Sequence, residues 1–132
     1  MILVLCARRV MPGVMPLISL IPSMVDETQK LIDLLEAAER LLRSHGVTFW
    51  ADWLSRDVSY LKAGDFHGVE DLLGAYGGMG SLTDVFICPE NGDNIRKDEV
   101  AEVNGRLDEL RAALYTLAEQ IRHEGHLPHR AA

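Results

Sequence analysis

The chain has 132 residues, the length of one domain, and its 13 basic and 20 acidic residues give a net charge of −7. This balance argues against a nucleic-acid binder, which needs a basic stripe, and against a protein that binds an anionic membrane surface. The two cysteines, Cys6 and Cys88, are not part of a CxxC motif, which excludes a disulfide scaffold and a zinc ribbon.

Residues 1–24 differ in composition from the rest of the chain, because they include Arg8, Arg9 and three prolines but no acidic residue. The arginines follow the first apolar run and the prolines interrupt the second, which argues against a secretory signal and a transmembrane span. We therefore expect residues 1–24 to be a poorly ordered or mis-started leader, with a short edge strand at residues 2–6 as the alternative. Residues 25–125 are expected to form a single helical domain, and residues 126–132 a flexible tail.

The first predicted helix covers about residues 26–45. Its apolar residues recur at steps of three and four, which places them on one face. Asp26 is the expected N-cap, and Gly46 is expected to end the helix in the left-handed conformation. The predicted apolar face consists of Leu31, Leu34, Leu35, Ala38, Leu41 and Leu42.

Two shorter helices are predicted next. The second begins at Thr48, a capping residue type, and Gly64 stops it; the third has Asp65 as its N-cap and runs to about Ala75. Their apolar faces are predicted to be Trp50, Trp53, Leu54, Val58 and Leu61 in the second helix and Phe66, Val69, Leu72 and Leu73 in the third.

A Gly-rich loop follows, made of Tyr76, Gly77, Gly78, Met79, Gly80 and Ser81. Its glycines allow a positive φ or the close approach of a ligand. A phosphate-binding loop would lead into a helix N-terminus and carry a lysine, and this loop does neither. We favour a structural turn in which Ser81 or Asp84 binds loop amides, with a partner-binding loop as the alternative.

Residues 84–88 are the only strand-like stretch, because four consecutive apolar or β-favouring residues indicate a strand buried on both faces. Asn91 and Gly92 then form a turn signal, after which residues 94–97 are a candidate for a second strand. A lone strand would leave its backbone amides unpaired, so a partner for this one is expected.

The last predicted helix covers about residues 97–123, and its apolar residues alternate steps of three and four over three heptads. Such a seam is typical of helices packed side by side, so we expect this helix to lie along the first one, with self-association through the seam as the alternative. Asn104 and Gly105 are not expected to break it, since the seam continues in phase across them. The seam consists of Val100, Val103, Leu107, Leu110, Leu114, Leu117 and Ile121.

These elements predict a mainly α fold: a small bundle of about four helices, with one short strand or hairpin after the Gly-rich loop. Trp50 and Trp53 lie one turn apart, a spacing usual for core aromatics, although tryptophan is also enriched at interface hot spots. Phe49 adjoins Trp50, and the three rings cannot all point inward. One of Phe49 and Trp50 is therefore expected at the rim.

The sequence contains no recognisable catalytic constellation, and we expect no enzymatic activity, no cofactor and no metal site. His123, His126 and His129 are spaced by three, but Gly125 and Pro128 interrupt that segment, so it is interpreted as a solvated tail. The acidic residues, which an acidic chain brings into pairs by chance, are interpreted mostly as a solvated face. They are Asp52, Asp57, Asp65, Glu70, Asp71 and Asp84.

Over about residues 30–122 the chain resembles a family of small uncharacterised bacterial proteins, a domain of unknown function with a YGGMGS-x-x-D signature. The residues that carry the resemblance are Trp50, Trp53, Gly64, Asp65, Leu72, Leu73, the six residues of the Gly-rich loop, Asp84, Leu110, Leu114, Tyr115, Leu117 and Ala118. It implies a bacterial cytosolic protein and marks the Gly-rich loop with Asp84 as the signature feature.

The favoured hypothesis for function is a small acidic interaction protein without enzymatic activity, such as an immunity protein for a secreted toxin. Its negative charge would steer it onto a basic partner, for example a toxin domain. The alternatives are a structural or self-associating helical module and, less favoured, a ligand binder or enzyme that uses Tyr76, Ser81 and Asp84. The expected oligomeric state is a monomer or a weak dimer.

Overall fold

The structure, a computed structural model, describes the backbone of residues 22–131 and the side chains of residues 27–124. Within this range the chain forms four α-helices, and the prediction of a mainly α bundle is confirmed. The helices are α1 (Pro22–Ser44), α2 (Thr48–Lys62), α3 (His67–Leu73) and α4 (Val100–Ala131), with 3-10 turns at Leu82–Asp84, Pro89–Asn91 and Lys97–Glu99. Residues 1–21, which include most of the predicted leader and the alternative strand at residues 2–6, lie outside the described residues.

Helix α1 packs against both α2 and α4, and α3 packs against α2 and α4. The apolar seam of α4 lies in the core, where Leu107 and Leu114 are fully buried against leucines of α1 such as Leu31 and Leu35. Full burial of a leucine contributes about 1.5–3 kcal/mol, so the seam is a main source of stability. The prediction that the last helix packs on the first is confirmed, because the seam leucines of α4 contact the leucines of α1 within the same chain.

The helix ends depart from prediction at several points. Helix α1 begins at Pro22 rather than near Asp26, because a proline in the first turn lacks only an N–H that would have no helical partner there. Helix α2 begins at Thr48, but its N-cap is Val47 and no side chain caps it. Helix α4 continues to Ala131, so the interruptions expected at residues 125 and 128 do not end it, whereas Gly105 lies within one continuous helix as predicted.

Two of the predicted helix stops are confirmed in their geometry. Gly46 and Gly64 follow α1 and α2 with φ of +83° and +77°, the left-handed conformation that glycine adopts without strain. The predicted N-cap of α3 is displaced by one residue: Phe66 is the N-cap, while Asp65 Oδ1 still accepts a hydrogen bond from the His67 N–H at 2.9 Å.

The predicted strand at residues 84–88 is wrong, since the described residues contain no strand. Ile87 is fully buried as expected, but its backbone pairs with a side chain of α4: Asn104 Oδ1 accepts from the Ile87 N–H, and Asn104 Nδ2 donates to the Ile87 carbonyl, both at 2.8 Å. Arg111, also on α4, donates from Nη1 to the carbonyls of Leu82 and Val85 at 2.9 Å. Helix side chains therefore satisfy this extended segment, and no partner strand is required.

Residues 94–97 do not return as a second strand. The Asn94 N–H donates to the His45 carbonyl at 2.9 Å, and His45 Nδ1 lies 2.7 Å from the Asn94 carbonyl oxygen. These contacts attach the segment before α4 to the C-terminal end of α1. None of the helices in the described part of the chain is both long and apolar enough to cross a lipid bilayer.

Candidate functional site

Helix α2 carries an aromatic cluster, formed by Phe49, Trp50 and Trp53, that reaches the described surface. The ring centroids of Phe49 and Trp50 are 5.0 Å apart in an edge-to-face arrangement, those of Trp50 and Trp53 are 4.9 Å apart, and those of Phe49 and Trp53 are 6.2 Å apart. Phe49 is 65% exposed, while both tryptophans are half-buried against the core. The expectation that Phe49 or Trp50 lies at the rim is confirmed, with Phe49 in that position.

Arg56 extends the aromatic cluster by one helical turn. Its guanidinium lies 4.8 Å from the centroid of the Trp53 ring, within the range of a cation–π contact. The same guanidinium donates from Nε and Nη2 to Asp71 Oδ2 on α3, at 3.3 and 3.0 Å. Trp53 Nε1 also donates to the Asp71 backbone carbonyl at 3.1 Å. Two contacts to Asp71 therefore fix the relative position of Trp53 and Arg56.

Asp57 lies beneath this arrangement and is fully buried. Neither of its carboxyl oxygens accepts a hydrogen bond from an N–H or O–H group in the described part of the chain. The group that acts on it is the Asp71 carboxyl group, through a hydrogen bond and through its charge, and two carboxyl groups share a hydrogen bond only when one of them carries a proton. We call Asp57 and Asp71 the carboxyl pair.

The electrostatics of the carboxyl pair assign the proton to Asp57. Burial, together with the hydrogen bond and the charge of Asp71, raises the pKa of Asp57 to about 9. Burial alone would raise the pKa of Asp71 as well, but hydrogen bonds from Asp57 and Arg56 and the charge of Arg56 lower it overall. At neutral pH the pair is therefore a neutral Asp57 that donates to a charged Asp71 carboxylate.

Gly68 lets α3 approach α2 closely enough to cover Asp57. A Cβ at this position would lie 2.9 Å from the Tyr60 Cβ and 3.0 Å from the Asp57 carbonyl oxygen. The His67 ring also contacts the Tyr60 ring edge to face at 4.9 Å between centroids. The absence of a side chain at Gly68 thus allows α3 to pack closely on the turn of α2 that carries Asp57, whose side chain is fully buried.

The charged rim of the aromatic cluster includes a network between α1 and α2. Arg43 donates to Glu39 and forms an ion pair with Asp52, with nitrogen–oxygen distances of 3.0 Å in both. Asp52 is 72% exposed at its side chain and adjoins Trp53 in sequence. Exposed pairs of this kind contribute little stability, so their main effect is on the charge that the surface presents.

The Gly-rich loop is held by its own side chains, as the structural interpretation requires. Gly80 has a φ of +79°, and its N–H donates to Asp84 Oδ2 at 2.6 Å. Ser81 Oγ accepts from the Thr83 N–H at 3.3 Å and lies 2.6 Å from Thr83 Oγ1. Gly78 has a φ of +95° and Gly77 one of +159°. Asp84 and Ser81 therefore both act within the loop.

Tyr76 and Met79 differ in their surroundings although both belong to the Gly-rich loop. The Tyr76 hydroxyl donates to the Arg111 carbonyl of α4 at 2.7 Å, and its ring lies 5.1 Å from that of Tyr115. Burial raises the pKa of the Tyr76 hydroxyl. The contacts of Tyr76 with α4 anchor the start of the loop. Met79 is 97% exposed at the tip. A recognition loop would expose both side chains at its tip, and of the two only Met79 is exposed there.

The sequence-predicted candidates thus fall into two groups. Trp50 and Trp53 belong to the α2 surface, and the loop residues with Asp84 form a separate turn. A third feature is an open apolar groove of about 470 Å³ between α1 and α4, lined by Leu34, Ala112, Ala113, Thr116, Leu117 and Gln120. A second groove of about 300 Å³ lies nearby at Arg40 and Arg106. Among the described residues, no three His, Cys, Asp or Glu side chains are grouped so that they could hold a metal ion.

Sequence reasoning missed the buried role of Asp57, which it assigned to a solvated acidic face. The signal was present, because Asp57 lies three residues after Leu54 and four before Leu61, both on the apolar face of α2. Asn104 and Arg111 were also missed as partners of the extended segment. Each lies next to or within the apolar seam of α4, where a polar side chain needs a partner.

Residues 43–96 match the model of a family described as Domain of unknown function (DUF6966). The predicted resemblance to a family of unknown function is thereby confirmed, over a shorter range than the expected residues 30–122. The matched range contains the aromatic cluster, the carboxyl pair and the Gly-rich loop. No curated protein and no solved structure gave a significant match to the chain.

Proposed function

We propose that this chain is a small, acidic, non-enzymatic interaction protein of the bacterial cytoplasm that binds a basic protein through the aromatic cluster of α2. An immunity-type inhibitor that covers the basic cleft of a secreted toxin is the form of this function that the charge favours. The observation that carries the proposal is the aromatic cluster itself, with Phe49 65% exposed.

The composition of the cluster supports a docking role. Scattered exposed apolar residues are ordinary, but here an exposed phenylalanine ring contacts two partly exposed tryptophan rings, which makes a contiguous aromatic surface. Tryptophan is among the residues that contribute most to binding energy at protein interfaces, typically near the centre and surrounded by polar groups. Here the Arg56 guanidinium contacts the Trp53 ring, and Asp52, the neighbour of Trp53 in sequence, is exposed, so charged groups border the aromatic cluster as they do at the rim of an interface.

The charge of the matched segment supports a basic partner. Residues 43–96 contain eight acidic and four basic residues, in a chain whose net charge is −7. A negative surface accelerates association with a positive one and repels other acidic proteins. A basic side chain of the partner would also find the faces of the aromatic rings favourable.

The Gly-rich loop is an alternative contact surface for the same function, because the exposed Met79 at its tip carries a flexible thioether that adapts to different partners.

Two other functions remain as alternatives. A self-associating helical module is less favoured, since most of the seam that would mediate it, including Leu107, Leu110 and Leu114, is buried within one chain. A small-ligand site at Tyr76, Ser81 and Asp84 is disfavoured because these groups bond within the loop or to α4.

Co-expression with neighbouring genes tests the proposal. Each gene beside the coding sequence is induced in a bacterial host, with or without this chain, and growth is recorded. We expect one gene product to arrest growth and the wild-type chain to restore it, while Phe49→Ala restores it poorly. Tyr115→Ala is the matched control, since Tyr115 is an exposed aromatic residue on α4, 44% exposed and outside the cluster.

The outcomes separate the alternatives. Loss of rescue by Met79→Ala with full rescue by Phe49→Ala would transfer the contact surface to the Gly-rich loop. If no neighbouring product is toxic and none co-purifies with the chain, the immunity-type function is contradicted.

A further inference from the structure

The position of Arg56 on the aromatic cluster depends on a residue that never reaches the surface. Arg56 is held over Trp53 by Asp71, and Asp71 in turn faces the buried Asp57. Asp57, Asp71 and Arg56 therefore interact in series, from the core to the surface. A change in the protonation of Asp57 would therefore reach the groups that a partner touches.

We propose that Asp57 is a positioning residue whose retained proton fixes Asp71, and through Asp71 the Arg56–Trp53 pair, in the geometry that binds the partner. The docking role of that pair rests on the proposed function, whereas the coupling of Asp57 to Trp53 is independent of any partner. Protonated Asp57 donates a hydrogen bond to the Asp71 carboxylate, which stays charged and accepts both hydrogen bonds from Arg56.

The geometry leaves Asp57 no other way to be satisfied. Its side chain is completely buried, neither carboxyl oxygen accepts a hydrogen bond from a donor in the described part of the chain, and Gly68 brings α3 directly over its backbone. An isolated buried carboxylate is costly, so the protein retains the proton instead. The charged and titratable groups that act on the pair are Arg56 from α2 and His67 from α3.

Loss of the proton would place a fully buried Asp57 carboxylate against the Asp71 carboxylate. Their repulsion would separate α2 from α3 at Asp71 and would remove the hydrogen bonds that position Arg56 and the Trp53 indole. The pKa of about 9 places this change above neutral pH, so the arrangement is fixed under ordinary conditions and released in alkali.

The test uses the full chain with Trp50→Phe, which leaves Trp53 as the only tryptophan, and no partner. Trp53 fluorescence is recorded from about pH 6 to about pH 10, where a one-proton transition near pH 9 is expected. Asp57→Asn in the same background should abolish the transition, because its amide still donates to Asp71 but cannot lose a proton in this range. Asp52→Asn, an exposed change on the same helix, should leave it intact.

A transition that persists in Asp57→Asn, or a wild-type profile without one, overturns the proposal. If Asp57→Asn does not fold, the infrared band of a protonated carboxyl group in the Trp50→Phe protein decides the matter. That band should be present at neutral pH and disappear together with the fluorescence change, and its absence at neutral pH contradicts the proposal. Failure of the partner experiment alone would leave these results unchanged, so the two proposals fail separately.

Discussion

Asp57 and Asn104 are polar residues in the core of the described chain, and they are satisfied in opposite ways. Asn104 makes three hydrogen bonds, two to the backbone of Ile87 and one to the Val100 carbonyl. Asp57 has only another carboxyl to bind and must keep its proton. Asn104 thus takes the place of a partner strand, whereas Asp57 makes the stability of the fold depend on pH.

The pH dependence of stability has a definite sign. The pKa of Asp57 is about 9 in the folded chain and about 3.9 in the unfolded chain, so between these values the folded state binds one more proton. Its contribution is fully present at low pH and is lost as the pH rises toward 9, at about 1.4 kcal/mol per pH unit. The lowered pKa of Asp71 acts in the opposite direction but only in more acidic solution.

We therefore expect the free energy of unfolding of the wild type to fall more steeply with pH than that of Asp57→Asn, between about pH 5 and about pH 9. Urea unfolding at a series of pH values measures both slopes. Asp52→Asn, on the same helix but exposed, should keep the wild-type slope. Parallel curves for the wild type and Asp57→Asn would mean that Asp57 is ionised in the fold.

Asn104→Ala should lower the free energy of unfolding by about 2–4 kcal/mol, because it leaves the buried N–H and carbonyl of Ile87 unpaired. Urea unfolding measures this loss. Asn91→Ala is the control, since Asn91 makes a hydrogen bond to the Phe86 carbonyl at an exposed site and should cost less than about 1 kcal/mol. Equal costs for the two variants would contradict the role given to Asn104.

At the scale of elements, the sequence predicts α1, α2 and α4 well because their apolar periodicity is local and strong. The same reasoning fails at residues 84–88, because an apolar run does not reveal what pairs with its backbone. Here the partners are Asn104 and Arg111, which lie 17 residues or more along the chain from the carbonyls they bind. The burial of Asp57 is equally hard to predict from local sequence, because it depends on the close packing of Gly68 in α3 against α2.

Two glycines with different surroundings give opposite predictions. Gly105 lies in the second turn of α4 with nothing within 4 Å of an added Cβ, so Gly105→Ala should raise the free energy of unfolding by about 0.5–1 kcal/mol. Gly80 has a φ of +79°, and Gly80→Ala should lower it by about 1–2 kcal/mol. Thermal unfolding compares both with the wild type. Destabilisation by Gly105→Ala would mean that α4 is not regular at this point.

At the scale of the whole molecule, the buried seam and the exposed aromatic cluster predict how the protein associates. The leucines of α4 are used within the chain, so purified protein should scatter light as a 14.7 kDa monomer over a wide concentration range. A mass that rises toward twice this value with concentration would favour the self-associating module. Phe49→Ala would then show whether the aromatic cluster is the contact between copies.

The net charge of −7 gives the whole molecule a preference for basic surfaces, but charge alone does not select one partner. In this account, selection comes from the fixed geometry of Phe49, Trp50 and Trp53. The charge should therefore control the association rate and its dependence on salt, whereas the aromatic cluster should control how long the complex lasts.

The most direct measurement is the dissociation constant of the partner recovered by co-expression, determined by calorimetry for the wild type, Phe49→Ala and Tyr115→Ala. We predict that Phe49→Ala weakens binding about 10-fold or more, because it removes the exposed ring of the aromatic cluster, while Tyr115→Ala binds as the wild type does. Equal dissociation constants for Phe49→Ala and the wild type would contradict the assignment of the aromatic cluster as the docking surface.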